Sequence, residues 1–293
     1  MNHDNHIQQA EAWKNKRYSS IFTRSNFSRL LKNNDYSLLN SVIKEYDIDK
    51  IGNKIDTYED YLKYTYKFMI KKYRNEYVYK NSLINLILKK YGTKNTVAFN
   101  EFRVGNSIAD IVMFNGISRA FEIKTELDTD KRLKSQLADY KRIFKQSFIV
   151  IHESLIDKYK DIDNEIGIIV LSINRGNVKL DILREAENNY IIDPYILIRS
   201  LRAEEYKDLI KRYYGYLPSM NAFSAFKICE KMILNIPSSE LHQLFTLEMK
   251  HRKTNMKLMP EYNSYLRQMC LSMHISKKEY IQIENLLKNN INI

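Results

Sequence analysis

The sequence has 293 residues, enough for one large domain or two to three smaller ones, and 44% of them are hydrophobic, which excludes a globally disordered chain. The 47 Lys and Arg exceed the 35 Asp and Glu by 12, an excess that favours a polyanionic partner such as nucleic acid. Only 7 Gly and 4 Pro occur, which argues for long helices and against an all-β fold with many turns.

The cysteines and the apolar runs argue against several other classes of protein. The two cysteines, Cys229 and Cys270, form no Cys-x-x-Cys or Cys/His cluster, which argues against a zinc site or a disulfide framework. Residues 1–6 are polar and contain no apolar signal core, and the longest apolar run, 166–173, is too short to span a bilayer. We therefore expect a cytoplasmic protein with no membrane association.

The N-terminal part of the chain is predicted to be helical. Residues 1–55 form a predicted N-terminal extension, with helices at 18–32 and 36–46 where apolar residues recur at three- and four-residue spacing. Residues 56–91 are predicted to form one long helix or two consecutive ones. Thr57 is a candidate N-cap, with Asp60 three residues later in the place usually taken by Glu.

A series of strands follows, and residues 56–190 together form the predicted core. The order from residue 56 is helix, three strands, helix, strand, which predicts an α/β (α+β) fold with a mixed central sheet flanked by helices. The helix after the third strand is expected to begin at Asp128 or Thr129 and to reach about residue 144. The predicted strands lie at 96–104, 107–114, 117–125, 148–152, 166–173 and 178–183, with a short helix at 155–160 and a turn at 174–177.

Residues 191–293 are predicted to form a helical C-terminal domain. Prolines fall between the helical stretches, where helix breakers are expected, and no helix-turn-helix or zinc-finger pattern occurs. We expect this domain to contact either a second copy of the chain or a partner protein. Its predicted helices lie at 194–214, 222–234, 239–252, 261–273 and 276–289.

A predicted hairpin in the core carries the residues of a candidate site. Asp110 lies on its first strand, and Glu122 and Lys124 lie on the second, where the period of two places them on one face. Directly opposed residues of antiparallel strands share a face. A two-residue Asn115-Gly116 loop would set Asp110 opposite position 121, the wrong face, whereas a three-residue loop pairs 114 with 118 and sets it opposite Glu122. We predict the second register, with Gly116 at a positive φ.

This set of residues suits the chemistry of a divalent metal. Two carboxylates, with a backbone carbonyl such as that of Ile123, are the hard oxygen ligands that Mg²⁺ and Mn²⁺ prefer. Such a metal polarises a phosphate and lowers the pKa of a bound water. Lys124 could position that water and stabilise the phosphorane oxygens, or it could simply form a salt bridge with Glu122 or Glu126.

Side chains on the flanking helices could complete the site. Gln136 and Tyr140 are four residues apart and therefore lie on one helix face, although Tyr140 also falls on an apolar stripe and could belong mainly to the core. Glu76, on the preceding helix, either points into the site or is a solvated helix glutamate. Glu101, on the first strand, competes with Glu76 for this role.

The pattern resembles the PD-(D/E)XK nuclease superfamily. Asp110, then Glu122-x-Lys124, then Gln136-x-x-x-Tyr140 are similar to its RecB-like branch with the Gln-x-x-x-Tyr motif. The stretches 75–81, 101–112 and 121–129 also resemble a bacterial nuclease-like family. The resemblance covers about residues 70–155. Ala109 stands where the superfamily often has Pro.

The resemblance implies a restriction-endonuclease-like core and a set of roles. Asp110 and Glu122 would be the metal ligands, Lys124 the catalytic lysine, and Gln136 and Tyr140 supporting residues; Glu76 is the best match to a recurring first-helix glutamate. The implied function is Mg²⁺- or Mn²⁺-dependent hydrolysis of nucleic acid, with DNA favoured over RNA, in phage defence or DNA repair. The alternatives are a catalytically silent nuclease fold that binds nucleic acid or regulates, and a partner-docking subunit.

Overall fold

A computed structural model of the chain describes residues 2–174 and 177–293, without the side chains of 2–7. Residue contacts divide the chain into two units. Unit 1 comprises Met1–Leu86, Ile173–Lys179 and Leu258–Ile293, and unit 2 comprises Ile87–Ser172 and Leu180–Lys257. The division into three segments expected from the sequence stays a prediction. Residues 175 and 176 of the predicted 174–177 turn lie outside the described residues.

Unit 1 is built from helices, and those that begin after Thr23, Thr57 and Ser276 are capped by the side chain of that Thr or Ser. The Thr57–Asp60 and Ser276–Glu279 pairs both form capping boxes, in which each side chain bonds the other residue's backbone N–H. Residues 56–91 form two helices, and the predicted 18–32 helix is divided because Thr23 caps a new helix. The helices are α1 (Asn2–Ile21), α2 (Arg24–Asn33), α3 (Ser37–Tyr46), α4 (Tyr58–Lys72), α5 (Glu76–Tyr91, which continues into unit 2), α12 (Arg267–Ser272) and α13 (Lys277–Leu287).

The two ends of the chain meet within unit 1. The Tyr77 hydroxyl donates to the Tyr265 carbonyl over 2.7 Å, and the Tyr36 hydroxyl donates to the Leu286 carbonyl over 2.9 Å. Helix α13 also packs against α2 and α4. Residues near the C-terminus therefore complete the core that the first helices begin.

The sheet has six strands whose order in space is their order in the chain. The first three strands are antiparallel, the fourth is parallel to the third, and the fifth is parallel to the fourth. Because helices pack on this sheet, the predicted mixed sheet flanked by helices is confirmed. The strands are β1 (Val97–Val104), β2 (Ser107–Asn115), β3 (Ile117–Lys124), β4 (Gln146–His152), β5 (Gly167–Asn174) and β6 (Asn177–Arg184).

Aromatic side chains hold the sheet of unit 2 to its helices. Phe114 packs edge-on to Phe245, with ring centroids 5.1 Å apart, and Phe102 and Phe144 surround this pair. The predicted 194–214 helix is divided in two at residues 201–202. The helices are α6 (Leu133–Lys141) and α7 (Ile156–Tyr159), before and after β4, and α8 (Pro194–Ser200), α9 (Ala203–Tyr214), α10 (Ala225–Ile233) and α11 (Ser238–His251).

The connection from β3 to α6 differs from the prediction. Helix α6 begins at Leu133, so neither Asp128 nor Thr129 is its N-cap. The Asp128 carboxylate instead accepts hydrogen bonds from the backbone N–H and the hydroxyl of Thr125, at 2.8 and 2.9 Å. This turn directs the chain away from the end of β3. No helix in the described part of the chain is both long and apolar enough to cross a membrane.

Candidate active site

The register of the β2–β3 hairpin is the one the candidate site requires. Phe114 pairs with Ser118 and Asn115 with Ile117, so that Gly116 alone forms the tip, at φ +70°. Only glycine adopts such a φ without steric strain. The predicted register and the predicted positive φ are both confirmed. Continuing this register one pair beyond Ile111 and Phe121 sets Asp110 opposite Glu122.

Glu122 is the centre of the hydrogen-bonded cluster that results. Its side chain is only 2% exposed, and each of its two carboxylate oxygens has a partner. Lys124 Nζ lies 2.9 Å from Oε1, and the Tyr140 hydroxyl donates to Oε2 over 2.6 Å. Of the two salt bridges considered for Lys124, the one to Glu122 is therefore formed.

Asp110 is held from the neighbouring strand by a backbone group. The Ile123 N–H donates to Asp110 Oδ2 over 2.8 Å. Because the N–H and C=O of one strand residue point toward the same neighbouring strand, the Ile123 carbonyl also faces the β2 side. Two carboxylates and one carbonyl thus lie at the same end of β2 and β3.

Helix α6 contributes the two side chains expected of it. Gln136 Oε1 accepts a hydrogen bond from Lys124 Nζ over 3.2 Å. The Tyr140 hydroxyl also lies 2.9 Å from the Ile108 carbonyl, and its ring is fully buried. Tyr140 therefore belongs both to the core and to the cluster. We call Asp110, Glu122, Lys124, Gln136 and Tyr140 the acidic cluster.

Burial and the proximity of two carboxylates shift the pKa of Glu122 and Tyr140 in the acidic cluster. Burial raises the pKa of Glu122 above its usual value of 4.5, and the charge of Asp110 raises it further, while hydrogen bonds from Tyr140 and Lys124 act in the opposite direction. Burial and the Glu122 carboxylate also raise the pKa of Tyr140, which keeps its hydroxyl protonated as a donor. The two carboxylates lie close enough for the charge of one to raise the pKa of the other, and a divalent cation between them would stabilise both.

The two remaining candidate glutamates have different settings. Glu76 belongs to unit 1, where it lies exposed in the first turn of α5 and forms an ion pair with Lys80. Glu101 belongs to unit 2 and lies opposite Asp110, because its neighbours Asn100 and Phe102 pair with Ile111 and Ala109. Its φ of +54° is one that non-glycine residues seldom adopt, and nothing in the sequence indicated it.

The oxygen donors of the cluster match the chemistry of a hard divalent cation. Carboxylates of Asp110 and Glu122 and the carbonyl of Ile123 are donors of the kind that Mg²⁺ and Mn²⁺ prefer. Within the described ranges, no group of three or more His, Cys, Asp or Glu side chains is arranged to hold a metal. Any ion bound by the two carboxylates would complete its shell with water or substrate oxygens, as Mg²⁺ commonly does.

One acidic residue near the cluster was missed by sequence reasoning. Asp130, between β3 and α6, forms an ion pair with Lys158 at 2.7 Å and accepts a hydrogen bond from Tyr159. These two hydrogen bonds are the main reason that its pKa is lowered, and the charge of Lys124 contributes. No motif marked Asp130, because its partners come from α7, more than 25 residues later in the chain.

Comparison with known proteins places the chain in a family. The family model described as bacteriophage P4 protein cII matches residues 69–274, which include the whole acidic cluster. The chain belongs to the bacteriophage P4 protein cII family.

Two individual similarities accompany this match. Protein cII of Enterobacteria phage P4 is 28% identical over 137 residues, covering 46% of this chain and 52% of the phage protein, so the chain spans about half the length of that relative. A solved protein of unknown function from Silicibacter pomeroyi is 13% identical and covers 46% of this chain and 90% of its own, at a TM-score of 0.30. A similarity at that score carries no argument.

Proposed function

We propose that this member of the protein cII family is a Mg²⁺- or Mn²⁺-dependent nuclease that hydrolyses phosphodiester bonds, with DNA as the favoured substrate. The observation that carries the proposal is the convergence of the acidic cluster. Of the five side chains singled out by spacing and resemblance, those of Glu122, Lys124, Gln136 and Tyr140 form one continuous set of hydrogen bonds. The fifth, Asp110, accepts a hydrogen bond from the Ile123 N–H, next to Glu122. The nuclease hypothesis requires Asp110 and Glu122 to lie on the same face of the β2–β3 hairpin.

The order of elements around the cluster also supports the proposal. Helix α5 is followed by three antiparallel strands, helix α6 and a strand parallel to the third. That order is the one the resemblance implies for a restriction-endonuclease-like PD-(D/E)XK core. In this proposal the acidic cluster lies at the C-terminal end of β3, beside α6, where Asp110 and Gln136 are partly exposed and Glu122 and Lys124 are buried.

Each residue of the cluster has a role in the proposed reaction. Asp110, Glu122 and the Ile123 carbonyl would hold the metal, which supplies Lewis-acid activation of the phosphate and of a water nucleophile. Lys124 would orient the attacking water and stabilise charge on the phosphate oxygens. Gln136 positions the Lys124 ammonium, and Tyr140 fixes the Glu122 carboxylate through its hydroxyl.

The charge of the whole chain agrees with a nucleic-acid substrate. The formal charge of +12 attracts a polyanion over long distances and raises the rate of encounter. We place the activity in the cytoplasm, where such a substrate is available, and we expect residues 191–293 to provide a contact with a second copy or a partner protein.

The proposal is tested by incubating plasmid, linear duplex and single-stranded DNA, and a single-stranded RNA, with and without Mn²⁺. We expect Mn²⁺-dependent cleavage by the wild type. In Asp110→Asn and in Lys124→Gln we expect the cleavage rate to fall by at least about a hundredfold. Lys141→Gln is the matched control, because Lys141 lies on α6 but pairs with Asp163 and Glu165 outside the cluster.

Two results would contradict the proposal. Cleavage that survives both cluster substitutions in folded protein would remove the cluster from the chemistry. Metal binding by calorimetry without cleavage of any of these nucleic acids would instead favour the silent, regulatory alternative.

A further inference from the structure

Unit 2 contains a pocket at the opposite end of β3 from the acidic cluster, and we call it the second pocket. It encloses about 350 Å³ and is formed by the β2–β3 turn, one face of α11, and the segments before β4 and after β6. Small-molecule sites usually occupy from about 300 to 1,000 Å³, so this pocket has room for a small ligand. Its lining includes Ile117, Lys145, Tyr190, Ser239 and His242.

The wall formed by α11 contains a buried imidazole that has no protein partner. His242 is 8% exposed, and neither of its ring nitrogens has a hydrogen-bond partner within the described chain. A buried polar group left in this state is destabilising, because it has lost its hydrogen bonds to water and has gained none from the protein. Such groups in a folded protein call for an explanation, and one explanation is a ligand that supplies the missing hydrogen bonds.

The lining of the pocket also includes a cation and an aromatic ring, those of Lys145 and Tyr190. Lys145 Nζ lies 3.6 Å from the centroid of the Tyr190 ring. Lys145 is also close enough to His242 to lower the pKa of the imidazole by its charge, in addition to the larger effect of burial, which together bring that pKa to about 4. Near neutral pH the pocket therefore combines one ammonium group with a neutral imidazole that can donate one hydrogen bond and accept another.

We propose that this pocket binds a small organic anion that has one carboxylate or phosphate group joined to a planar ring through a short linker. The anionic group would lie between Lys145 and His242, and it would be stabilised by the N-terminal turn of α11, which supplies Ser239 to the same wall. The ring would pack against Tyr190, whose side chain is 71% exposed at the rim.

The pocket is separate from the acidic cluster. Ile117 and Lys124 lie at the two ends of β3, seven residues apart, which corresponds to roughly 23 Å along an extended strand. A ligand in the pocket therefore contacts none of the residues assigned to phosphodiester hydrolysis. The proposal stands whether or not the protein is a nuclease.

Binding of an anion should be visible in the titration of His242. Lys145, from the segment before β4, is the charged group that faces the imidazole and disfavours its protonation. An anion bound between them screens Lys145 and stabilises the imidazolium, so occupancy should raise the pKa of His242, and affinity should increase as the pH falls toward 5, a direction set by linkage.

The experiment titrates the full chain with adenosine 5′-monophosphate, indole-3-acetate and inorganic phosphate, and with the uncharged counterparts adenosine and indole. Binding is followed by calorimetry and by the nuclear magnetic resonance signals of the His242 ring. We expect at least one of the two organic anions to bind and to shift the ring signals of His242. That anion should bind at least tenfold more tightly than its uncharged counterpart. Its affinity should fall at least tenfold in Lys145→Met. Lys231→Met, on an exposed part of α10, is the control.

A second variant separates a ligand site from a merely structural histidine. His242→Leu removes a buried polar group that has no partner, so we expect this variant to unfold at a higher temperature than the wild type. We also expect the variant to lose its affinity for the organic anion. Failure of both organic anions to bind up to about 5 mM, equal binding of the uncharged counterparts, or unchanged binding in Lys145→Met would each overturn the proposal. Binding of inorganic phosphate alone would show an adventitious ion only and would likewise overturn it.

Discussion

At the scale of single residues, the arrangement around Glu122 favours function over stability. A buried carboxylate beside a second carboxylate is an unfavourable element of a core unless a cation is bound. The pairing with Lys124 stabilises the charged form of Glu122, while burial and the charge of Asp110 act against it. Perturbed acids of this kind concentrate at catalytic sites, although purely structural ion pairs also perturb the pKa of their members.

The substitution Glu122→Gln tests whether the buried Glu122 carboxylate destabilises the folded protein. A carboxyl whose pKa is raised by folding contributes stability that is complete below its unfolded value, near 4.5, and is lost as the pH rises through the folded value. The wild type should therefore lose stability relative to Glu122→Gln as the pH rises above about 4.5. The free energy of unfolding of both proteins, measured by urea denaturation at several pH values without metal, gives this difference.

The control for that comparison is Glu187→Gln, which replaces an exposed glutamate outside the cluster. We expect the wild type and this variant to have parallel pH profiles. If the difference in free energy of unfolding between wild type and Glu122→Gln stayed constant across pH, Glu122 would ionise as freely in the folded protein as in the unfolded chain.

At the scale of elements, strand β1 contains a local strain beside the acidic cluster. Glu101 adopts a left-handed conformation in the middle of a strand, directly opposite Asp110. For a residue with a Cβ this conformation is unfavourable by about 1–2 kcal/mol. Backbone strain that is retained in a folded protein is found most often at binding and catalytic sites.

The substitution Glu101→Gly should relieve this strain. Glycine tolerates φ +54° but loses about 0.5–1 kcal/mol more in backbone entropy on folding, so we expect a net stabilisation of roughly 0.5–1 kcal/mol relative to Glu101→Ala. Chemical denaturation of the two variants measures the difference. If Glu101 supports the reaction, both variants lose cleavage activity although one of them is more stable.

The sequence predicted some of these elements and not others, for physical reasons. Periodicity located β1 to β4 to within one or two residues, and the single-face requirement on Asp110 selected the correct turn at Gly116. The start of α6 was wrong because Asp128 has two local uses, as an N-cap and as a turn residue, and pattern alone does not distinguish them.

Other features depend on contacts between distant residues, which a pattern does not contain. Lys145 and His242 are close in space although they lie almost a hundred positions apart in the chain. The Asp130 ion pair likewise joins the segment before α6 to Lys158 of α7. The left-handed Glu101 is imposed by neighbouring strands rather than by its own preference. Sequence reasoning therefore located the acidic cluster but neither the second pocket nor the strain.

At the scale of the whole molecule, the positive charge makes a prediction about salt. Each phosphate neutralised by Lys or Arg releases condensed counterions, so affinity for duplex DNA falls steeply as salt increases. With three or more phosphate contacts, we expect at least a roughly fortyfold loss of affinity between about 50 and 200 mM salt. Fluorescence anisotropy with metal-free protein and a short labelled duplex measures this, and an affinity independent of salt would argue against nucleic acid as the partner.

The family match extends across parts of both units, since residues 69–274 include α5 and α12 of unit 1 as well as unit 2 from residue 87 to 257. The acidic cluster and the second pocket both lie in unit 2. Variants in either site should therefore be compared with controls from the same unit.

The discontinuous make-up of unit 1 has a consequence during protein synthesis. Helices α1 to α4 leave the ribosome early, but α13, which packs against α2 and α4, belongs to residues 258–293. At about 5–20 residues per second, translation of the intervening 87–257 takes roughly 10–30 s. During that time the surfaces of α2 and α4 that α13 covers in the folded protein stay exposed to water and to other chains.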